Sequence, residues 1–255
     1  MNKLTLLVVS TNDTNYFDVL EQVRQEGHPI FNKYQVQVEQ AGFDEMELIY
    51  YHDSGLLVDL FPSPRPFSNT NQSTNRVVKP NFVMIRNVVH GPRDLDHKNI
   101  LYGFMHANVG CINSLEAVYS CLQRPIVHAE LKKIQDRLGA DQFPLVPQNY
   151  YSDCRELNFV PPYPIVLKVS HVHAGQGKMK VDDDKQLQDI KSIIAVHGKD
   201  YCTAETYLSG QFDLRIQKIG NHYRVVRRYN AHGWKGNVGT AIAEDIPMTD
   251  RYKLW

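Results

Sequence analysis

The chain has 255 residues, 42% of them hydrophobic, and its 28 Lys and Arg are matched by 28 Asp and Glu. Such an apolar fraction supports a sizeable core and excludes a disordered composition, and the length points to one large or two modest domains. The cancelled charge removes whole-chain attraction to nucleic acid, so no nucleic-acid partner is expected and only local basic patches remain open. Cys111, Cys121, Cys154 and Cys202 show no C-x-x-C spacing and no disulfide framework. The apolar run LTLLVV at 4–9 is too short for a signal segment or a bilayer span. A reduced, cytosolic, soluble protein is expected.

In chain order, LTLLVV reads as a buried strand bounded by the polar turn STNDTN. YFDVLEQVRQEG follows as a helix, stopped by Gly27. YQVQVEQA at 34–41 alternates with period two, as a half-buried strand does, and DEMELIYY and LLVDLF are further strand candidates. The Pro, Ser and Asn of 62–76 mark a surface loop, after which NFVMIRNVV returns as a buried strand. Strands alternating with helical patterns predict a parallel, doubly wound α/β sheet for about the first 110 residues.

SLEAVYSCLQRP and AELKKIQDRLGADQF then read as helices, the second stopped by Gly139. From PLVPQNYY onward the chain is rich in strands: PIVLKVSHV, GKMKVDD, YCTAETYL, FDLRIQKIG and HYRVVRRY, with one helix, LQDIKSIIAV, among them. FDLRIQKIGNHYRVVRRY is a hairpin turning at Gly220-Asn221. An α/β half followed by a sheet-heavy α+β half places a junction near 111–125, with domains at 1–112 and 113–255. In PMTDRYKLW, Thr249 caps a helix and the chain stops inside its second turn, so a partial sequence is expected.

Several features bear on candidate chemistry. Gly175 and Gly177 lie between two strands, so the loop fits neither a P-loop nor a dinucleotide fingerprint, both of which open a helix. A Gly-rich hairpin still lets backbone N–H groups approach phosphate oxygens, and by its glycines alone it is a plain turn. Lys168 before it, with Lys178 and Lys180 after it, favours a polyanion. His171 and His173 lack a third ligand at metal spacing and read as rim residues. Glu205 in TAETYL is either a salt-bridged edge residue or part of a hinge beside a nucleotide base. Asp213 and Arg215 read as a surface ion pair, and Lys235 in GWKGNVGT is a loop lysine. The helix carrying Lys132, Lys133 and Arg137 reads as an ordinary solvated face, so no membrane motif is visible.

The order of these features, together with long collinear words such as RPIVHAELKKIQDRLGADQFPLVPQNYY, PIVLKVSHVHAGQGKMKV, FDLRIQKIGNHYRV and GWKGNVGTA, resembles the central C domain of the synapsins. The resemblance runs from about residue 3 to the last residue. It implies a pre-ATP-grasp domain followed by an ATP-grasp domain incomplete at its C-terminus, with ATP as ligand and Mg or Ca beside it. Lys168 matches a lysine near the α-phosphate, and Ala174, Gly175, Gln176, Gly177 and Lys178 match the loop covering the phosphates. Glu205, Thr206, Tyr207 and Leu208 match the adenine hinge, and Lys235 a lysine of the flap. Arg124 stands where synapsins usually carry a lysine before proline. The metal ligands of the family follow the DRYKLW helix, so weak ATP binding by residues 1–255 is expected. The resemblance further implies a neuronal phosphoprotein that regulates neurotransmitter release. Its expected partners are the synaptic vesicle membrane, the actin cytoskeleton and a second copy of itself, at the cytoplasmic face of vesicles in the presynaptic terminal. The alternative is an ATP-grasp ligase joining a carboxylate to an amine, for which Asp213 is the nearest base candidate and an unconvincing one.

Overall fold

The structure is a computed structural model that describes residues 2–62, 75–91, 95–171, 175–197, 200–230, 233–236 and 241–254. The chain divides into two compact units, Met1–Glu130 and Leu131–Trp255.

In the first unit the elements are β1 (Asn2–Val9), α1 (Tyr16–Gln25), β2 (Tyr34–Ala41), β3 (Met46–Tyr51), β4 (Gly55–Leu60), β5 (Arg76–Val78), β6 (Phe82–Ile85), α2 (Lys98–His106), β7 (Gly110–Ile112), α3 (Leu115–Ser120) and the start of α4 (Arg124–Leu138). Strands β2-β1-β6-β7 form a parallel sheet in that order, with Leu6 of β1 opposite Val38 on one side and Phe82 on the other. Leu7, Val8 and Val9 are all fully buried, which is why β1 reads as an unbroken apolar run: a central parallel strand is covered on both faces. Helix α1 begins where Asn15 Oδ1 accepts from the Phe17 N–H at 3.1 Å, and it gives way to Gly27 at φ +75°.

Strands β3 and β4 depart from the expected single sheet. They pair antiparallel with each other and with β5 in a separate three-stranded meander. Residues 52–54 are the whole connection, far too short for a parallel crossover. Both sheets share one core, in which Leu7 and Val9 join Met46, Val58 and Leu60 of the meander and Leu101 and Phe104 of α2. Helix α2 approaches β3 so closely that a Cβ on Gly103 would stand 2.6 Å from Leu48 Cδ2.

The second unit contains β8 (Gln148–Tyr151), β9 (Ile165–Val169), β10 (Lys178–Val181), α5 (Asp184–His197), β11 (Cys202–Thr206), β12 (Asp213–Ile219), β13 (His222–Tyr229), β14 (Ile242–Ile246) and α6 (Asp250–Leu254). Its main sheet is antiparallel, ordered β10-β9-β11-β8. One face is apolar: Ile165, Leu167, Val181, Cys202 and Ala204 pack with Leu187 and Ile194 of α5 and with Cys154 and Leu157. A second antiparallel sheet, β12-β13-β14, contains the expected hairpin, with Ile219 opposite His222 and Gly220 at φ +59°. Gly139 follows α4 at φ +87°, and Thr249 Oγ1 accepts from the Tyr252 N–H at the start of α6.

Candidate functional site

Side chains alternate across a strand, and residues directly opposed in an antiparallel pair share a face. The register of the main sheet in the second unit therefore fixes what its non-apolar face carries. Lys168 of β9 lies opposite Lys178 on one side and Thr203 on the other. In the next row Val166 lies between Lys180 and Glu205, and Glu205 lies opposite Gln148. Three ammonium groups and one carboxylate thus stand together on a surface whose reverse is the unit's core. Like charges directly opposed are unfavourable unless something of opposite sign lies between or above them.

Glu205 meets part of that charge. Its Oε1 is 2.5 Å from Lys168 Nζ, its Oε2 accepts from Gln148 Nε2 at 3.2 Å, and the paired side chains are only 17% and 18% exposed. Strand β11 is interior, so Glu205 is a salt-bridged residue of a central strand and not of an edge. Lys180 Nζ lies 2.6 Å from Asp182 Oδ1 and 4.9 Å from the centre of the Tyr207 ring. Thr203 Oγ1, next to Lys168 in the row, is buried without a hydrogen-bond partner among the described residues.

The hairpin and the later Gly-rich segment close over the same place. Gly175 and Gly177 have φ of +81° and +54°, a backbone that side-chain-bearing residues avoid, and the Gly177 carbonyl accepts from the Val169 N–H at 2.8 Å. Lys235 Nζ donates to the Gly175 carbonyl at 2.8 Å, pinning one loop to the other. Asn230 Nδ2 in turn donates to the Lys235 carbonyl at 3.1 Å. Between them sits Trp234, with Lys178 Nζ 5.3 Å and Lys235 Nζ 5.4 Å from its ring centre. Its ring meets Tyr207 edge to face at 5.9 Å. Cations over aromatic faces are held in place while keeping charge to offer a ligand.

Beside Tyr207 and Trp234 opens a cleft of about 480 Å³, also lined by Leu208, Phe212, Asp213 and Arg228. Glu205 and Thr206 belong to the β11 ladder, and the Tyr207 N–H donates to the Pro164 carbonyl at 2.9 Å. Leu208 is the first residue past the strand; it is 66% exposed, and its backbone carries no hydrogen bond among the described residues.

The structure thus brings Lys168, Gly175, Gln176, Gly177, Lys178, Glu205, Thr206, Tyr207, Leu208 and Lys235 into one region of the second unit. Ala174 and His173 lie outside the described residues. Arg124 opens α4 in the first unit. Asp213 pairs across the hairpin with Arg228 at 2.6 Å, not with Arg215 two residues along its own strand, because the register sets Arg228 opposite it. His171 Nδ1 lies 2.9 Å from Ser170 Oγ. Trp234 is the residue of this arrangement that sequence reasoning passes over; its position between glycine and Lys235 was the available signal.

Residues 1–111 match the family model described as the synapsin pre-ATP-grasp domain, and residues 113–255 the one described as synapsin, ATP binding domain. The chain belongs to the synapsin family. A synapsin from Drosophila melanogaster is 32% identical over 257 residues, an alignment covering 98% of this chain and 24% of that protein. This synapsin chain therefore spans about a quarter of the length of the curated relative it matches. Among solved structures it is similar to the ATP-grasp ligase PsnB complexed with a minimal precursor, with a TM-score of 0.58 and 16% identity over 99% of this chain and 80% of that one. D-alanine–D-alanine ligase from Bacillus anthracis, complexed with ATP, aligns with a TM-score of 0.52 and 11% identity over 98% of this chain and 72% of that one. At these identities the likeness is one of fold: a mixed α/β pre-ATP-grasp domain followed by an ATP-grasp domain.

Proposed function

We propose that this synapsin chain binds ATP in its second unit and uses it as a regulatory ligand. The observation that carries the reading is the convergence of Lys168, Lys178 and Lys235 on one face, two of them around Trp234. Three cations on one face suit a triphosphate, whose oxygens take charge-assisted hydrogen bonds from each ammonium. The glycines at 175 and 177 let backbone approach the phosphates, and the bond from Lys235 to Gly175 supplies a closure. Leu208, whose backbone N–H and C=O have no hydrogen bond among the described residues, offers the donor and acceptor that the edge of adenine requires.

Among the described residues no group of three His, Cys, Asp or Glu stands ready for a metal ion. A Mg or Ca ion enters this proposal only as the nucleotide's own counter-ion, and no step is routed through it. Family membership supports the wider role: association with synaptic vesicles and the actin cytoskeleton, self-association, and regulation of transmitter release at the presynaptic terminal.

Trp234 provides the test. Titrating the chain with ATP to millimolar concentration, with and without Mg, is expected to give a saturable fluorescence change that is lost in Trp234→Phe and weakened in Lys178→Met. A change that survives Trp234→Phe unaltered, or none at all, overturns the site assignment.

A further inference from the structure

The first unit has a crevice of its own, formed without any residue of the ATP site. In the parallel sheet the chain leaves β1 toward β2 on one side and later returns to β6 on the other, so the strand order reverses between β1 and β6. Loops leaving the carboxyl ends of strands at such a reversal diverge and leave a gap. Here the gap encloses about 670 Å³, mouth included, between the loops that follow β1, β2 and β6 and the segment leading into α2.

The floor is tied before any ligand arrives. The Ser10 N–H donates to the Ala41 carbonyl at 2.9 Å, joining the ends of β1 and β2. Across the reversal, the Thr11 N–H donates to Asn87 Oδ1, and Asn87 Nδ2 donates back to Thr11 Oγ1, both at 3.0 Å. The wall is completed by His97, whose ring stacks on Phe43 at 4.9 Å with Nε2 3.7 Å from Asp44 Oδ1. A site held in shape by its own hydrogen bonds loses little entropy on binding.

Into this crevice come two polar groups whose side chains have no hydrogen-bond or ionic partner among the described residues: the guanidinium of Arg86 and the amide of Asn12. Arg86 contrasts with Arg24, Arg76, Arg155, Arg224, Arg227 and Arg228, each of which has a carboxylate. We infer that the crevice at the carboxyl ends of β1, β2 and β6 is a binding site for a small carboxylic acid, with Arg86 taking the carboxylate. A guanidinium fork matches a carboxylate in two parallel bonds. Among the described residues Arg86 is the one permanent cation of the lining, and Asp44 adds a negative charge to it, so a singly charged group fits better than a phosphate, which is close to doubly charged at neutral pH. Phe43, Val88 and Leu95 give the ligand's carbon body an apolar wall, and Asn12 gives it a hydrogen bond.

The test uses the whole 255-residue chain and three probes: butyrate, its neutral amide butyramide, and inorganic phosphate, each followed by amide NMR. Butyrate is expected to shift the resonances of Thr11, Arg86 and Asn87 saturably, with no matching effect from butyramide. Arg86→Gln should weaken butyrate by about tenfold or more, and Arg86→Lys, which keeps the charge and loses the fork, should fall between. Arg86 is exposed and its side chain makes no hydrogen bond or ion pair among the described residues, so both variants should keep the wild-type spectrum elsewhere. Equal shifts from butyramide, equal butyrate affinity in Arg86→Gln, preferential binding of phosphate, or no shift by any probe would each overturn the inference.

Discussion

Removing either end of the Lys168–Glu205 pair should weaken the main sheet of the second unit while moving ATP affinity in opposite directions. The pair is 2.5 Å apart and each side chain is about one-sixth exposed. Exposed pairs contribute up to about 1 kcal/mol, and breaking a fully buried one costs about 3–5 kcal/mol; this intermediate burial gives about 2 kcal/mol. Glu205→Gln should cost more than Lys168→Met. It leaves Lys168 facing Lys178 directly across the ladder, whereas Lys168→Met leaves Glu205 with its bond from Gln148. Hydrogen exchange of peptides spanning Ile165–Val169 and Cys202–Thr206 reads the effect locally, and 2 kcal/mol corresponds to about 30-fold faster exchange. The double variant should exchange at nearly the rate of the worse single, because the second change removes a charge already left alone. For ATP, Glu205→Gln removes a negative charge beside the phosphates and should tighten binding; Lys168→Met removes a ligand and should weaken it. Exchange within about threefold of wild type in both variants, or ATP affinity moving the same way in both, would refute the reasoning.

Gly103→Ala should destabilise the first unit despite alanine's helix preference of about 1 kcal/mol, because the new Cβ meets Leu48 at 2.6 Å and overpacking costs about 1–3 kcal/mol; an unchanged or higher melting temperature would contradict this. Tyr163, half-buried and donating to Asp184 Oδ1 at 2.7 Å, has its phenol pushed up to about 12 from 10.0, first by that partial burial and then by the carboxylate. The neutral phenol is the form the fold prefers, so its contribution is complete below pH 10 and disappears as pH rises toward about 12. Tyr163→Phe should therefore flatten the loss of stability across that window, and an identical alkaline slope would count against the assignment. Exposed Cys121 should be alkylated in the native chain, while Cys154 and Cys202, both fully buried, should react only at the rate of unfolding; mass spectrometry of timed samples would show early modification of the buried pair if this is wrong.

Much of this architecture is legible in the sequence because strands declare themselves by period. IVLKV and KMKV, joined by a loop holding two glycines, already imply an antiparallel pair with lysines sharing a face. What the sequence cannot convey is register. Asp213 lies two residues from Arg215, yet pairing across the hairpin chooses Arg228, and Glu205 reaches Lys168 only because β11 lies between β9 and β8. The meander of β3 to β5 is hidden for a related reason: its strands look like those of the parallel sheet, and only the short turn at 52–54 distinguishes them. Helix α2 and the three-residue strand β7 also escape notice. His97 makes no side-chain capping bond at the start of α2, and three residues are too few to show a period. Trp234 escapes notice because Lys178, one of the two cations at its ring, is distant in sequence, and only the neighbouring Lys235 hints at it.

Lysine acylation followed by mass spectrometry, with and without ATP, tests the central claim most directly. ATP should lower labelling of Lys168, Lys178 and Lys235 together, while Lys185 and Lys218 of the same unit label as before. Uniform labelling at saturating ATP, or protection confined to lysines away from this face, would contradict the account.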